Sequence, residues 1–345
     1  MEKVFVAMSG GVDSSVCAYL LKKQGFEFYG VTMEIYTPEA DSFVSEKSCC
    51  GSSAVEDARA VSESLGITHY AMDYRSEFEE RVIRPFSREY LRGRTPNPCI
   101  MCNRSVKWGV FYERCREMGA DYIATGHYAR RIKLPSGRFT VANSLSEKED
   151  QTYVLYGIDQ EALSHTLFPI GEYEKPRIRE IAAEAGLLVA TKKDSQDICF
   201  IPDGDYASFI KDHEGSLGTP GSFIGPDGKG LGPHRGTAAY TIGQRKGLSF
   251  SYGERIYVTG IDTSSGNVYL GSDSSLFSDT LTAEDICYMG EERLSEDECY
   301  RAKIRYSQSP VECHVRYLSD EGLEVIFDQP VRAAAPCRDH FRWES

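Results

Sequence analysis

The sequence predicts an α/β protein, with a parallel sheet flanked by helices in the amino-terminal half and largely antiparallel β structure in the carboxyl-terminal half. Apolar strand-like runs alternate with amphipathic helical segments through the first third of the chain. Glycine, proline and turn-forming pairs crowd the stretch after Cys199. The last part alternates polar and apolar residues, as strands with one solvent-facing side do. These three observations fix the expected class.

The first third follows a strand, helix, strand order. Strands are predicted over residues 3–8, 26–33 and 67–74, and helices over residues 14–24 and 54–65, each helix ending at a glycine. Strands separated by helices require parallel pairing with right-handed crossovers.

The next segment continues this pattern. We expect Asn103 to cap a helix that reaches Gly119, and a strand over residues 121–125 that leads into Gly126 and His127.

The second half shows short strand signals over residues 255–262 and 267–271, and then alternating runs over residues 298–318 and 322–328. We expect a small β-rich central domain and a carboxyl-terminal antiparallel β-barrel. After Pro336 the chain reads CRDHFRWES. We expect the barrel to be incomplete there, as in a truncated or shifted reading frame.

The length of 345 residues suits several domains. We predict a catalytic domain over residues 1–206, a central domain over 207–279 and a barrel over 280–345. No stretch approaches the roughly 18 apolar residues of a membrane span, so we expect no membrane association and a cytoplasmic location. The eleven cysteines are an odd number scattered over the chain, which indicates thiols for chemistry or metal binding rather than a disulfide framework.

The formal net charge of −13 argues weakly against a nucleic-acid partner. Residues 75–116, however, hold ten Lys or Arg and five Asp or Glu. If the protein binds an anionic partner, we expect contact along this basic segment.

A candidate phosphate loop, SGGVDSS, runs from Ser9 to Ser15, directly after an apolar strand and at the start of a helix. Backbone N–H groups and the helix dipole converge on an anion at such a position. Gly10 and Gly11 permit close approach of the backbone to a pyrophosphate, and Asp13 is a plausible Mg²⁺ ligand. Neither a Walker loop nor a dinucleotide-binding glycine pattern follows any strand.

This loop resembles the PP-loop signature of ATP pyrophosphatases, enzymes of the adenine nucleotide α-hydrolase-like fold that cleave ATP between the α and β phosphates. The resemblance implies ATP and Mg²⁺ as cofactors. It also implies ATP contacts from the loop and from two residues on the adenine and ribose side: Ala7, Met8, Ser9, Gly10, Gly11, Val12, Asp13, Ser14, Met33 and Gly126.

Two cysteine motifs follow. TPNPCIMCN places Cys99 and Cys102 beside a predicted helix N-terminus within the basic segment, where the dipole and nearby arginines favour thiolates. DSQDICF places Cys199 after a polar turn and before an apolar segment.

SGGVDSS, TPNPCIMCN, GHYAR, DSQDICFIPDGDY and YTIGQRKGL, in that order, strongly resemble the bacterial tRNA-uridine 2-sulfurtransferase family. The resemblance implies ATP-dependent adenylation of O2 of the wobble uridine, position 34, followed by attack of a cysteine persulfide on C2 with release of AMP. It assigns the persulfide to Cys199, and makes Cys102 its partner in a disulfide or in acid-base chemistry. Implied partners are the tRNA anticodon stem-loop and a sulfur donor protein, such as a cysteine desulfurase or relay protein.

The same resemblance implies tRNA contacts by His127, by the turn Glu149, Asp150 and Gln151, and by Arg305 and Tyr306. Relatives usually carry lysine where Glu149 stands, so we expect this sequence to lose a phosphate contact there, with Lys148 as its substitute.

Cys99 opens an alternative, because Cys99, Cys102 and Cys199 together would ligate a [4Fe–4S] cluster that delivers sulfide in place of the persulfide. A zinc site built from Cys49, Cys50, Cys99 and Cys102 is a weaker alternative. The other cysteines are expected to be structural: Cys17, Cys115, Cys287, Cys299, Cys313 and Cys337.

Two other function classes stay open. A PP-loop amide or C–N ligase also adenylates a carbonyl oxygen but has no use for paired cysteines. An RNA-binding module without activity is suggested by Glu149 and the unusual tail, and is opposed by the intact loop and by Cys102 and Cys199.

Overall fold

The computed structural model describes residues 2–35, 52–194, 198–248, 252–335 and 342–344. Its strands are β1 (Lys3–Ala7), β2 (Glu27–Glu34), β3 (His69–Asp73), β4 (Tyr122–Thr125), β5 (Ala129–Lys133), β6 (Phe139–Asn143), β7 (Thr166–Leu167), β8 (Gly221–Ile224), β9 (Gly230–His234), β10 (Tyr257–Asp262), β11 (Asn267–Gly271), β12 (Phe277–Glu284), β13 (Tyr300–Lys303), β14 (Val311–Tyr317), β15 (Gly322–Arg332) and β16 (Arg342–Glu344).

The α-helices are α1 (Val12–Gln24), α2 (Ser52–Leu65), α3 (Arg75–Phe78), α4 (Arg84–Leu91), α5 (Pro98–Met101), α6 (Tyr112–Glu117), α7 (Gln160–Ser164), α8 (Lys175–Glu184) and α9 (Tyr206–Glu214). Two π-helical segments, Glu79–Ile83 and Cys102–Phe111, join neighbouring α-helices. Within the described residues, no helix is long and apolar enough to cross a bilayer.

The chain divides into two compact units, each made of several chain segments. The first consists of Met1–Val82, Cys99–Gly204 and Cys287–Glu292. The second consists of Ile83–Pro98, Asp205–Ile286 and Arg293–Ser345.

The first unit is built on a parallel sheet of order β3-β2-β1-β4-β7, which confirms the predicted α/β class. Its core holds Val4 and Val6 of the central strand β1, Val16 and Leu21 of α1, and Ile178 of α8, all less than 1% exposed. β1 therefore lies at the centre of the sheet, and the loop that follows it lies at the carboxyl edge, where ligands of such sheets bind.

The second unit contains two sheets. The first has the order β10-β11-β8-β9 and encloses a core that includes Phe223, Tyr240, Val258 and Val268. The second is antiparallel, with the order β12-β15-β14-β13-β16. The predicted β-rich character of this half is confirmed.

Two local features bear on the predicted elements. The prediction that a helix begins at Asn103 is wrong, because helical structure starts at Pro98, and Asn103 Nδ2 donates instead to the carbonyl of Val154 over 2.8 Å. Proline suits a first helical position because its missing N–H would have no intrahelical partner there.

At the tail, β16 pairs antiparallel with β13, so the last described residues add a strand to the sheet. Residues 336–341 lie outside the described part.

Candidate active site

The loop between β1 and α1 is a tight turn that leads into the start of the helix. Gly10 adopts φ +64°, and a Cβ on it would lie 2.5 Å from the carbonyl oxygen of Ala54, so glycine is required there. The hydroxyls of Ser14 and Ser15 both donate to the Gly11 carbonyl, over 3.2 and 2.8 Å. Among the described residues no side chain caps the start of α1. The first-turn N–H groups are therefore available to a phosphate.

Gly126 packs directly on this helix start. It follows the last residue of β4, and a Cβ on it would lie 2.7 Å from the backbone nitrogen of Ser14 and 2.8 Å from the carbonyl carbon of Asp13. Only glycine permits this approach. The structure thus brings Gly126 and the phosphate loop together, as the resemblance implied.

Asp13 is the centre of a polar network beside the loop. Lys175 Nζ lies 2.9 Å from its Oδ1 and 2.8 Å from its Oδ2, and the Tyr128 hydroxyl donates to Oδ1 over 2.9 Å. The Lys175 side chain is only 12% exposed, so solvent screens this ion pair weakly. Burial, followed by the charge of Asp13, raises the pKa of Tyr128, which keeps its hydroxyl protonated as a donor.

Lys175 also bridges to a second carboxylate. Its Nζ lies 2.8 Å from Asp194 Oδ1, to which Arg179 also donates over 3.0 Å. Burial opposes ionisation of Asp194, but the hydrogen bonds and charges of Lys175 and Arg179 outweigh it, so its pKa is lowered. Lys192 adds a third cation, which donates to the Gly10 carbonyl over 3.1 Å. Lys192 also pairs with Asp57, so each of the three cations beside the loop has a carboxylate partner.

Sequence reasoning missed these partners of the loop: Tyr128, Lys175, Arg179, Lys192 and Asp194. One signal was present. Lys175 opens α8, where a cation opposes the helix dipole, so a lysine there is unfavourable unless it has a carboxylate partner.

Several residues predicted to contact ATP have buried side chains. Met8 is 2% exposed, Val12 3% and Met33 8%, and the first two belong to the hydrophobic core. Such residues offer a nucleotide their backbone or a packing surface rather than a polar side chain. The Met8 carbonyl already accepts the Thr32 hydroxyl over 2.9 Å.

His127 is held in place through both ring nitrogens. Nε2 lies 3.4 Å from Lys107 Nζ and Nδ1 lies 2.8 Å from the Thr125 hydroxyl, while the ring packs against Trp108 at 5.5 Å between centroids. Lysine only donates, so Nε2 accepts and Nδ1 carries the proton. Desolvation, followed by the charge of Lys107, lowers the pKa of His127 well below its ordinary value. The imidazole is therefore neutral at neutral pH.

The predicted tRNA-contacting turn is tied to the phosphate loop through Tyr128. The Tyr128 backbone N–H donates to Oε1 of Gln151, and the Gln151 backbone N–H donates to the Tyr128 carbonyl, both over 2.9 Å. Asp150 accepts from the backbone N–H groups of Ser144 and Thr152 over 2.8 and 3.1 Å. Both side chains thus stabilise the turn itself. Glu149 ends a single 3₁₀ turn and is partly buried.

Arg305 and Tyr306 differ in their surroundings. Arg305 is partly buried and donates to the backbone carbonyls of Ile242 and Ala333. Tyr306 is 46% exposed, and Lys303 Nζ lies 5.4 Å from its ring centroid. Tyr306 therefore presents a ring and an adjacent cation to solvent, whereas Arg305 is engaged with the protein backbone.

The cysteines of the two motifs all belong to the first unit. Cys99 is exposed in α5, and Cys102 is partly buried at the start of the π-helical segment. Cys199 is partly buried in a turn beside Phe200, whose ring packs edge-on against Phe78 at 5.8 Å. Residues 195–197 of its motif lie outside the described part, as do Cys49, Cys50 and Cys337.

Three family models match successive parts of the chain. They are described as a tRNA methyl transferase HUP domain over residues 2–203, a tRNA methyl transferase PRC-barrel domain over residues 207–272 and an aminomethyltransferase β-barrel domain over residues 278–337. The first alone spans more than half of the chain.

Curated relatives extend the match over nearly the whole length. A protein named tRNA-specific 2-thiouridylase MnmA from Lachnoclostridium phytofermentans is 49% identical over 337 residues, which is 97% of this chain and 94% of that protein. The chain belongs to the tRNA-specific 2-thiouridylase family. A family member of that name from Clostridioides difficile is 46% identical over 96% of this chain and 92% of its own length. The predicted membership is confirmed.

Solved structures similar to the chain are more distant than these thiouridylases. A 4-thiouridine synthetase–RNA complex with bound ATP matches 61% of this chain and 50% of its own, at 20% identity and a TM-score of 0.38. An NH₃-dependent NAD synthetase from Campylobacter jejuni matches 62% of this chain and 76% of its own, at 15% identity and a TM-score of 0.32.

Proposed function

We propose that this thiouridylase family member catalyses ATP-dependent 2-thiolation of the wobble uridine of tRNA, releasing AMP and pyrophosphate. The observation that carries the proposal is the uncapped start of α1 with Asp13 beside it, in the same compact unit as Cys102 and Cys199. A nucleotide loop and two thiols are the parts that activation and sulfur transfer require.

The first step activates the uracil oxygen. O2 of the uridine attacks the α-phosphorus of ATP, the bond to the β-phosphate oxygen breaks, and pyrophosphate leaves. The backbone donors at the start of α1 stabilise the negative charge on the phosphates, while Lys175 neutralises the Asp13 carboxylate that would otherwise repel them. The adenylated oxygen is then a good leaving group.

The second step transfers sulfur. The terminal sulfur of a Cys199 persulfide attacks C2 of the uracil, and the C2–O bond breaks with release of AMP. Cys102 then attacks Sγ of Cys199, which forms a Cys102–Cys199 disulfide and leaves 2-thiouridine, so a reductant must reopen the disulfide before the next turnover. In the alternative route Cys102 acts as an acid-base group, and an external thiol reductant attacks Sγ of Cys199, forms a mixed disulfide with it and releases 2-thiouridine.

The loop offers Mg²⁺ one carboxylate, Asp13, and both its oxygens already contact Lys175. This donor set fits an ion pair better than a metal site of the protein's own. We therefore assign neutralisation of Asp13 to Lys175 and expect Mg²⁺ to be bound mainly through the nucleotide phosphates.

The match to models described as tRNA methyl transferase raises methyl transfer as a different product. The paired cysteines and the phosphate loop favour sulfur transfer, since methyl transfer has no need of a pyrophosphate-binding turn. A C–N ligase likewise has no use for Cys102 and Cys199.

The test uses full-length protein with tRNA, ATP, Mg²⁺, cysteine, a cysteine desulfurase and a thiol reductant, and measures tRNA nucleosides by mass spectrometry. We expect 2-thiouridine from the parent and none from Cys199→Ala, while AMP formation that depends on tRNA persists in the variant. Cys287→Ala, which removes a partly buried thiol outside both motifs, is the matched control and is expected to thiolate normally. Full thiolation by Cys199→Ala, or a methylated or amidated product, would overturn the proposal.

Dependence on iron distinguishes the persulfide route from the alternative in which a [4Fe–4S] cluster delivers the sulfur. Cys99 is exposed whereas Cys102 and Cys199 are partly buried, and within the described residues these three thiols do not form a group with ligand atoms inside 4.8 Å. The persulfide route predicts that anaerobically purified protein thiolates tRNA without iron, and that Cys99→Ala retains activity. An iron-dependent visible absorption band that Cys99→Ala removes together with activity would favour the cluster.

A further inference from the structure

A thiol, an imidazole and a carboxylate lie together on the sheet β12-β15-β14-β13-β16, remote in sequence from the loop and the cysteine motifs. They belong to Cys299, His314 and Asp328, and one ligand atom of each lies within 4.8 Å of the other two. Among the described residues this is the one such group of three or more His, Cys, Asp or Glu side chains. All three residues are exposed.

The strand register explains the grouping. β13 and β14 pair Tyr300 with Cys313, which puts Cys299 across from His314. β14 and β15 pair His314 with Ile326, and Asp328 lies two residues further along the same face. Because side chains alternate between faces, the burial of Cys313 and Phe327 fixes their neighbours His314 and Asp328 on the outer face. Cys299, directly before β13, His314 of β14 and Asp328 of β15 therefore present their side chains at the same place.

The donor set selects the metal. Thiolate, imidazole and carboxylate are all ligands of Zn²⁺, whereas Mg²⁺ and Ca²⁺ prefer oxygen alone. Bond lengths of about 2.0 to 2.3 Å around a tetrahedral Zn²⁺ separate its ligand atoms by about 3.2 to 3.8 Å. The present ligand atoms, all within 4.8 Å of one another, reach those separations if they move closer by about 1 Å through side-chain rotation. His314 Nε2 and Asp328 Oδ1 are 4.0 Å apart, which is too far for a direct hydrogen bond that would compete with metal coordination.

We propose that Cys299, His314 and Asp328 form a Zn²⁺ site with a solvent molecule as fourth ligand. Binding deprotonates Cys299 and releases its proton to solvent, with no change of oxidation state. The ion links β13, β14 and β15 beside the terminal strand β16, so it stabilises the sheet and shields an exposed thiol from oxidation. This site is independent of the proposed sulfur transfer.

The experiment titrates full-length, metal-free protein with Co²⁺ and then displaces it with Zn²⁺. We expect one equivalent of Co²⁺ to give a thiolate-to-cobalt charge-transfer band with visible bands of tetrahedral intensity. Cys299→Ser removes the charge-transfer band, and His314→Ala weakens affinity by about a hundredfold. Asp320→Asn is the matched control, because its carboxylate is 99% exposed and outside the group, and it keeps the parent spectrum.

Two further measurements test whether the metal is bound by Cys299 rather than by another thiol. A Cys99→Ser/Cys102→Ser double variant should keep the cobalt band, since those thiols are outside the site. Zn²⁺ should raise the melting temperature of the parent but not of Cys299→Ser, and the two metal-free proteins should melt alike. A band that survives both Cys299→Ser and His314→Ala, a band lost in the double variant, or no stoichiometric binding by the parent would each overturn the proposal.

Discussion

The Tyr128 hydroxyl donates a 2.9 Å hydrogen bond to Oδ1 of Asp13, while the backbone N–H of Tyr128 donates to the Gln151 side chain over the same distance. A turn implied to contact tRNA is thereby connected to the phosphate loop through one tyrosine. Movement of Gln151 when RNA binds would alter the orientation of Tyr128 and, through it, of Asp13. Under the proposed function, this link is a route by which contact of tRNA with the turn would reach the phosphate loop.

Lys175→Met is expected to lower tRNA-dependent AMP formation by about a hundredfold, because it leaves the Asp13 carboxylate un-neutralised beside the phosphates during adenylation. It also leaves Asp13 and Asp194 without their shared cation. The measurement is the initial rate of AMP release at saturating tRNA.

Arg177→Met is the control for this change. Arg177 lies two residues away in α8, is 46% exposed and pairs only with Glu180 and Glu184 among the contacts seen in the described residues. It should turn over ATP at the parent rate. Equal rates for Lys175→Met and the parent, with both folded, would contradict the role given to Lys175.

Asp194→Asn tests the same network through pH. The pKa of Asp194 is lowered in the folded protein, so its ionised form adds stability that is present above the ordinary carboxyl pKa of about 4 and lost as pH falls through the lowered value. The variant should lose about 1 kcal/mol in the free energy of unfolding at pH 7, as for a partly screened charged hydrogen bond. Denaturant titrations at pH 7 and near pH 3 measure this, and the difference from the parent should shrink at the lower pH. A difference that is constant with pH would show that Asp194 does not act through its charge.

The central elements of the fold followed from local pattern. The apolar runs that become β1, β2 and β4 and the glycines at helix ends are local signals, and the loop at Gly10 requires a positive φ that the residue type reveals. The helix start at Pro98 was missed because asparagine is a common helix-capping residue. The Asn103 side-chain amide instead donates a hydrogen bond to the carbonyl of Val154, 51 residues away.

Contacts between residues distant in sequence were not predictable from local pattern. Lys175 is separated from Asp13 by 162 residues, and only the folded sheet brings α8 to the loop. The same reason applies to Cys299, which has no ligand-spacing motif around it and was expected to be structural. Strand register, which one sequence does not specify, places it beside His314 and Asp328.

Tyr306→Ala is expected to weaken tRNA binding by about 1 to 3 kcal/mol, the usual contribution of a base stacked on an aromatic ring. Its exposed ring with Lys303 beside it offers both stacking and charge. Fluorescence titration with labelled tRNA at two salt concentrations measures the change. Tyr269→Ala, which removes a ring that is 40% exposed on another sheet, should bind tRNA as the parent does. Equal losses for both tyrosines would mean that Tyr306 is not a specific contact.

Gly126→Ala tests whether close approach to the phosphate loop is required for nucleotide binding. The added methyl group would meet the Ser14 nitrogen at 2.7 Å and the Asp13 carbonyl carbon at 2.8 Å, both backbone atoms that cannot rotate away. Relief of this overlap must displace the first turn of α1, at a cost of about 1 to 3 kcal/mol in stability. Since the proposed function places the phosphates on these same backbone N–H groups, ATP affinity should fall about tenfold or more.

Gly230→Ala provides the comparison, because Gly230 lies in β9 and an added Cβ meets no atom within 4 Å. Isothermal titration with ATP and thermal denaturation of both variants separate local from global effects. We expect Gly230→Ala to match the parent in both, and Gly126→Ala to lose affinity while remaining folded at 25 °C. Parent-like ATP affinity in Gly126→Ala would show that the start of α1 shifts without consequence, and the nucleotide would then have to bind elsewhere than on its N–H groups.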